Sequence, residues 1–405
     1  MPGPLHGVRV LDLTGMISGP MAAMLLADQG ADVIKIEPPA GDLMRYYGTI
    51  RRGMSSSFLS NNHNKRSLSV DIKSPAGREI VIKLAATADV FLQNFRPGAI
   101  ERMGLAEEVV RKANPTIIYC SISGFGERGP YAALRVYDPV IQAMSGLAEI
   151  QADRETGTPR MVRTTIPDKA TAVTAAQAIT AALFARERTG KGQHVRLAML
   201  DTMIAFLWPE ASSSLSYVGD ETDPAHGQMG LDLVFRTADR YITVGTVSNA
   251  EWQGFCRAIG RTDLLEDTRF KSVADRSRNV MQRRALMNAE LAKWTSEEIL
   301  TRLRVESVPC APILSRTELL DDEQVRVNGT IEIHDDPVLG RVRQPRPAAR
   351  FSETPASVAH LAPFLGADNA AILAELGYAA DDVARLTEAG VLHMARVQFG
   401  GETDG

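Results

Sequence analysis

The sequence has 405 residues, 44% of them hydrophobic and 23% charged, with a formal net charge of −4. This is ordinary globular composition, long enough for two domains, and it excludes a global basic field for nucleic acid; a polyanionic ligand needs a local cluster of cations. Three scattered cysteines (Cys120, Cys256, Cys310) without a CxxC, and seven histidines without metal spacing, argue against a disulfide framework, a zinc ribbon and a metal centre, and fit a reducing compartment.

The opening MPGPLHGVRV has no basic region followed by an apolar one, and the run Met21–Ala27 is too short to cross a bilayer. A soluble, cytoplasmic chain is expected, with neither membrane nor nucleic acid as partner. Val8–Leu13 is rich in β-formers. Gly19–Gln29 has helical composition and ends at Gly30, a residue at ease in the left-handed conformation. Ala31–Glu37 is again apolar and β-branched, so strand, helix and strand make a right-handed parallel βαβ unit. The rhythm continues with a strand over Ser67–Ile72, a helix over Ser74–Ala86 with Pro75 in its first turn, and a strand over Asp89–Phe95. A helix over Gly98–Ala113 and a strand over Thr116–Ser123 follow. The fold class is α/β: a doubly wound, Rossmann-like large domain, whose ligands bind beyond the carboxyl ends of the strands.

Asp168 is followed by KATAVTAAQAITAALFARERTG, the clearest helix in the chain, closed by Arg186, Arg188 and Gly190. His194–Met199 reads as a strand. Residues 210–230 are small, polar and turn-rich, and read as a crossing segment. A smaller α+β domain follows, with a turn over Thr237–Tyr241, a strand over Ile242–Val244 and helices over Glu251–Ile259, 280–293 and 296–305. From about 335 the chain is rich in Pro and Arg and reads as an extended connector; helices over Asp368–Leu376 and Asp381–Ala389 close it. The domains fall at 1–205 for the N-terminal part of the large domain, 206–325 for a linker and the small domain, and 326–405 for a connector and a C-terminal part returning to the large domain.

The first turn, GMISGP, spaces Gly15 and Gly19 as G-x-x-x-G, so the dinucleotide fingerprint fails, and no Walker A sequence appears. Those glycines are either ligand contacts or, the preferred reading, devices for tight strand-to-helix packing. Lys65, Arg66, Lys73, Arg96 and Arg102 lie near strand ends and are either a phosphate-holding cluster or a solvated rim. Asp168 opens a long helix, where free N–H groups and the helix dipole favour an ionised carboxylate. It is either a helix cap or a nucleophile toward an acyl carbon. Asp201 reads as a cap and Asp12 as structural.

Several segments in fixed order carry a resemblance: GVRVLDLTGMISGPMAAMLLADQGADVIKIEPPAGD, NKRSLSVDIKSPAGRE, FLQNFRPGAIERMGL, ISGFGERGPY, YDPVIQAMSG, DKATAVTAAQAITAALFARERTGKGQHV, VPCAPI and PVLGRVRQPRPAARFSETP. Together they resemble the family III CoA-transferases, whose fold is shared by the 2-methylacyl-CoA racemases. The resemblance implies that Asp168 is the nucleophile, passing through an aspartyl anhydride and an aspartyl-CoA thioester, with no cofactor beyond coenzyme A as substrate. It implies CoA contacts at Ile17, Ser18, Val70, Asp71, Ile72, Lys73, Asn94, Phe95, Arg96, Arg102, Arg135, Val136, Tyr137 and Asp138. It also implies an interlocked, ring-shaped homodimer, which the 210–230 and 335–355 segments fit. Formyl-CoA transferase has a glutamine where this chain has Ile17 and a basic residue near Pro38, departures that argue against formyl or oxalate specificity. Its glycine-rich flap has GTVSNAEW, 245–252, as nearest counterpart, without a role assigned. Racemases carry a histidine base at the position of Tyr137, and a tyrosine of reference pKa about 10 is a poor base at neutral pH. The expected reaction is transfer between an acyl-CoA, with succinyl-CoA as a family-based guess, and an organic (di)carboxylic acid, with Arg45 and Arg163 as candidate carboxylate binders. A racemase and a catalytically silent CoA-binding protein are the alternatives.

Overall fold

The computed structural model describes residues 3–153, 156–219 and 233–395. They form two compact units, Met1–Glu221 with Gly329–Gly405, and Thr222–Asn328. The first unit starts with β1 (Arg9–Asp12), α1 (Ser18–Asp28) and β2 (Asp32–Glu37), then a short hairpin of β3 (Ile50–Arg51) and β4 (Met54–Ser55). It continues through α2 (Ser56–Asn62), β5 (Lys65–Ser69), α3 (Pro75–Ala85), β6 (Val90–Gln93), α4 (Ala99–Arg102), α5 (Glu107–Ala113) and β7 (Ile118–Ser123). Then come α6 (Asp138–Met144), α7 (Leu147–Ile150), α8 (Ile166–Thr189), β8 (His194–Ala198) and α9 (Met199–Leu207).

Six strands pair in parallel in the order β5-β2-β1-β6-β7-β8, with Val10 opposite both Val33 and Val90. Side chains alternate across a strand, so neighbouring residues feed opposite faces. Val10, Val33, Val90 and Ile118 enter one core with α1 and α8, while Leu11, Ile34, Phe91 and Tyr119 enter the other with α3. A sheet covered on both faces explains why its strands read as unbroken apolar runs. Ala22, Ala23, Leu26 and Ala27 of α1 pack with Ala172, Ala175, Ala176 and Ile179 of α8. These small faces let the two helices approach closely.

In the second unit β9 (Val234–Arg236), β10 (Tyr241–Val244) and β11 (Cys310–Pro312) form an antiparallel sheet in the order β11-β10-β9. Its helices are α10 (Asn249–Ala258), α11 (Val273–Arg278), α12 (Val280–Leu291), α13 (Ser296–Val305) and α14 (Glu323–Val327). Trp252, Phe255, Phe270, Leu291 and Leu303 are its core. The 245–252 loop runs into α10 through a capping box of Ser248 and Glu251. Back in the first unit, β12 (Ile331–Asp336) and β13 (Gly340–Pro345) are followed by α15 (Asn369–Glu375) and α16 (Ala380–Glu388), and Ile372 and Leu373 join the second core.

Three expectations need correction. The helix foreseen over Gly98–Ala113 is two, because Gly104 adopts φ 74° between α4 and α5. The extended connector begins as a hairpin, in which Asp336 accepts the Val338 and Leu339 N–H groups to close the turn. The strand expected to reach Ile72 stops at Ser69, and Val70 pairs with Leu392 instead. The 210–230 crossing falls partly on 220–232, outside the described residues. No helix among the described residues is long and apolar enough to cross a membrane.

Candidate active site

The carboxyl end of β1 carries a buried charge network. Asp12 is fully buried, with Lys65 Nζ at 2.8 Å and Lys35 Nζ at 4.0 Å. Burial pushes its carboxyl up, but the two ammonium groups outweigh that and hold it at about 2. Lys35 reaches Asp42 at 3.2 Å, and Glu37 accepts the Asp42 N–H at 3.0 Å. Asp12 is therefore structural, as its sequence context suggests. Two expected ligand cations are spent here. Lys65 donates to Asp12, Pro20 and Asn62, and Arg66 is forked onto Asp32 and Glu375. Arg45, a candidate carboxylate binder, is likewise engaged: it pairs with Glu37 at 2.6 Å and stacks 3.6 Å over Phe58. Arg163 is exposed and outside the pocket described below.

The next turn, Thr14–Met16, leads into α1. Gly19 admits no side chain, since a Cβ there would lie 2.3 Å from Thr14 Cβ. That is the packing role expected of it. Gly15 differs: a Cβ would sit 3.8 Å from Asp42, an ordinary contact, while its N–H and carbonyl both bind Asn94.

Asp168 is not the cap of α8. The helix starts at Ile166 after Thr165, with Pro167 in its first turn, so Asp168 is the third helical residue. Proline tolerates that position because its missing N–H has no intrahelical partner there. The Asp168 N–H donates to Asp138 Oδ2 at 3.2 Å. Asp138 Oδ1 accepts from Gln142 Nε2 at 2.6 Å, and Gln142 Oε1 accepts the Val162 N–H at 2.9 Å. Packing of α1 against α8 sets Ser18, first in α1, beside Asp168. Burial, then the Asp138 charge, push the Asp168 carboxyl up from 3.8 to about 6, against the lowering effect of the Ser18 hydroxyl and amide. The helix terminus, expected to favour the ionised carboxylate, is thus opposed by burial and by Asp138. Near pH 7 a group of pKa about 6 is still roughly 90% ionised and is a stronger base than an ordinary aspartate. Asp201, expected as a cap, is exposed and lies in the first turn of α9 as its third residue, the cap position being Ala198.

A cavity of about 660 Å³ opens at the carboxyl end of the sheet, within the first unit. Of the expected site residues it is lined by Ser18, Asp71, Ile72, Lys73, Asn94, Phe95, Arg96, Arg135, Val136, Tyr137 and Asp168. Ile17, Val70, Arg102 and Asp138 are not on its wall. Ile17 packs against the cluster of Met44, Met54 and Phe58, Val70 is fully buried in core, Arg102 is exposed, and Asp138 is buried behind Asp168. Lys73, Arg96 and Arg135 are exposed and have no carboxylate partner among the described residues. Thr14, Met16, Asp42, Leu134 and Met199 also line the cavity; the sequence offered no signal for them beyond their nearness to strand ends. Among the described residues no three His, Cys, Asp or Glu side chains cluster to hold a metal.

The family model for CoA-transferase family III matches residues 5–369. Succinyl-CoA:glutarate CoA-transferase of Mus musculus is 36% identical over 396 residues, 96% of this chain and 90% of that protein. Formyl-CoA:oxalate CoA-transferase of Streptomyces coelicolor is 34% identical, over 96% of this chain and 99% of that protein. The crystal structure of a CAIB/BAIF family protein from Brucella suis aligns with a TM-score of 0.81 at 31% identity, covering 93% of this chain and 100% of that one.

Proposed function

The chain belongs to CoA-transferase family III, and from that premise we propose that it moves CoA from an acyl-CoA donor to a free carboxylate through covalent intermediates on Asp168. One Asp168 oxygen attacks the thioester carbonyl carbon; a C–O bond forms, the C–S bond breaks, and CoA leaves as thiolate. The thiolate then attacks the Asp168 acyl carbon of the mixed anhydride, releasing the donor acid as carboxylate and leaving an aspartyl-CoA thioester. An acceptor carboxylate displaces the thiolate, and the thiolate attacks the acceptor's acyl carbon, which frees Asp168. Covalent catalysis splits one hard exchange between two weak nucleophiles into easier steps.

The observation that carries this reading is the half-buried Asp168 carboxylate, raised in basicity, on the wall of a cavity whose rim holds Lys73, Arg96 and Arg135 without carboxylate partners. Those cations suit the phosphates of CoA through charge-assisted hydrogen bonds. The volume lies in the ordinary range for a ligand pocket.

Succinyl-CoA as donor and a dicarboxylic acid as acceptor are the preferred pair, in line with the name of the murine relative. Tyr137, 60% exposed at the start of α6, stands where racemases of this fold carry a histidine, which favours transfer over racemisation. A screen of acyl-CoA donors against mono- and dicarboxylates tests the pair, run alongside exchange of the α-proton in deuterated solvent. Exchange without transfer would overturn the transferase reading.

We assign a homodimeric, cytoplasmic enzyme. The exposed apolar side chains Val140, Met144, Phe184, Ile204 and Phe206 on α6, α8 and α9, with Trp208 just after α9, supply a surface a second copy can cover. Sedimentation equilibrium at micromolar concentration tests this; a monomer at all concentrations contradicts it.

A further inference from the structure

Five backbone groups of the Thr14–Met16 turn are gripped by side chains. Asp12 Oδ1 accepts the Thr14 N–H at 3.0 Å, and Lys35 Nζ donates to the Thr14 carbonyl at 2.9 Å. Asn94 accepts the Gly15 N–H at 2.9 Å and donates to the Gly15 carbonyl at 2.8 Å. Asp42 Oδ1 accepts the Met16 N–H at 3.2 Å. The grip coincides with an unusual backbone: Met16 adopts φ 70°, the left-handed region that a residue with a Cβ enters at an energetic penalty. Nothing in a methionine side chain favours that conformation, so its surroundings impose it. Two residues later Ser18 directs its hydroxyl and amide at the Asp168 carboxylate. The contact of Gly19 with Thr14 locks α1 against the same turn.

We propose that Asp42 is a positioning residue for the nucleophile: by holding Met16 in the left-handed conformation it sets the Ser18 donors against Asp168. The inference deepens the aspartyl mechanism and rests on it. Asp42 also neutralises the buried Lys35 at 3.2 Å, which is an alternative and purely structural reason for its presence. Substitution separates the two roles, because glycine enters the left-handed region freely and methionine does not.

The full chain is assayed with the most active donor and acceptor found in the screen, following kcat, KM for the acyl-CoA and the rate of Asp168 adduct formation. Asp42→Ala lowers kcat on the order of tenfold or more, with KM within about threefold. Asp42→Asn keeps an oxygen for the Met16 N–H and retains most of kcat. Adding Met16→Gly to Asp42→Ala brings kcat back to within about threefold of Met16→Gly alone, because the turn no longer needs holding. Met16→Val, which leaves the ion network untouched, reproduces the loss even if Asp42→Ala does not fold, since a β-branched residue resists positive φ. The proposal is overturned if glycine does not rescue Asp42→Ala, if Met16→Val is as active as the parent, or if the Asp42→Ala defect lies in KM. Absence of an adduct on the parent's Asp168 strikes the mechanism itself, whereas an adduct without rescue strikes only this inference.

Discussion

Replacing Asp168 by Asn tests the electrostatics of the site without any substrate. The folded carboxyl is raised from 3.8 to about 6 by burial and by Asp138. In the unfolded chain it returns to its ordinary value. Between about pH 4 and pH 6 the folded state therefore binds more protons than the unfolded one, so wild-type stability falls as pH rises through that window. Above it the deficit is constant. A shift of about two units is worth about 3 kcal/mol at most. Asparagine carries no charge, keeps an oxygen for the Ser18 donors and keeps the backbone N–H to Asp138. Asp168→Asn is thus expected to be more stable than the parent at pH 8 by up to about 3 kcal/mol and indistinguishable from it below about pH 4. For a unit of roughly 300 residues that is a rise in Tm on the order of 4 °C at pH 8. Differential scanning calorimetry of both proteins from pH 4 to pH 8 reads it directly. A pH-independent difference, or a variant less stable at pH 8, would refute the claim that a buried, repelled charge sits at Asp168.

Asp138→Asn removes the like charge behind Asp168, so the acid limb of the proposed Asp168 adduct formation, expected near pH 6 in the parent, moves to lower pH; a limb that stays put shows that Asp138 does not tune Asp168. Lys73→Ala and Arg96→Ala each raise KM for the acyl-CoA by roughly 10- to 100-fold with little change in kcat, and make binding less sensitive to salt; equal KM values would detach these cations from the phosphates. Lys65→Met leaves Asp12 buried with only the more distant Lys35, and unfolding in urea should show a loss of about 3–5 kcal/mol.

Much of this arrangement is legible in the residues because the physics is local. Paired apolar positions in Val8–Leu13 and Asp89–Phe95 reveal a sheet buried on both faces, and the alanine-rich run after Asp168 reveals its helix. Other features are set by partners distant in the chain. Arg45 looks like a free carboxylate binder until Glu37 and Phe58 claim it. Asp168 looks like a cap until Pro167 and Thr165 move the helix start upstream, and its raised pKa comes from burial and then from Asp138, 30 residues away. The left-handed Met16 has no compositional signature at all, since its turn is held by four side chains, Asp12, Lys35, Asp42 and Asn94, most of them distant in the chain. The 331–345 hairpin hides behind prolines and arginines whose apolar alternation, Val342 against the exposed Arg341 and Arg343, is too short to announce a strand.

Covalent use of Asp168 is open to direct chemical trapping. The protein is mixed briefly with an active acyl-CoA donor, trapped with hydroxylamine or borohydride, digested and examined by mass spectrometry. A modified peptide is expected whose altered residue is Asp168, formed as fast as turnover and missing in Asp168→Asn. An enzyme that transfers CoA at full rate with Asp168 unmodified, or that keeps its activity in Asp168→Asn, would contradict it.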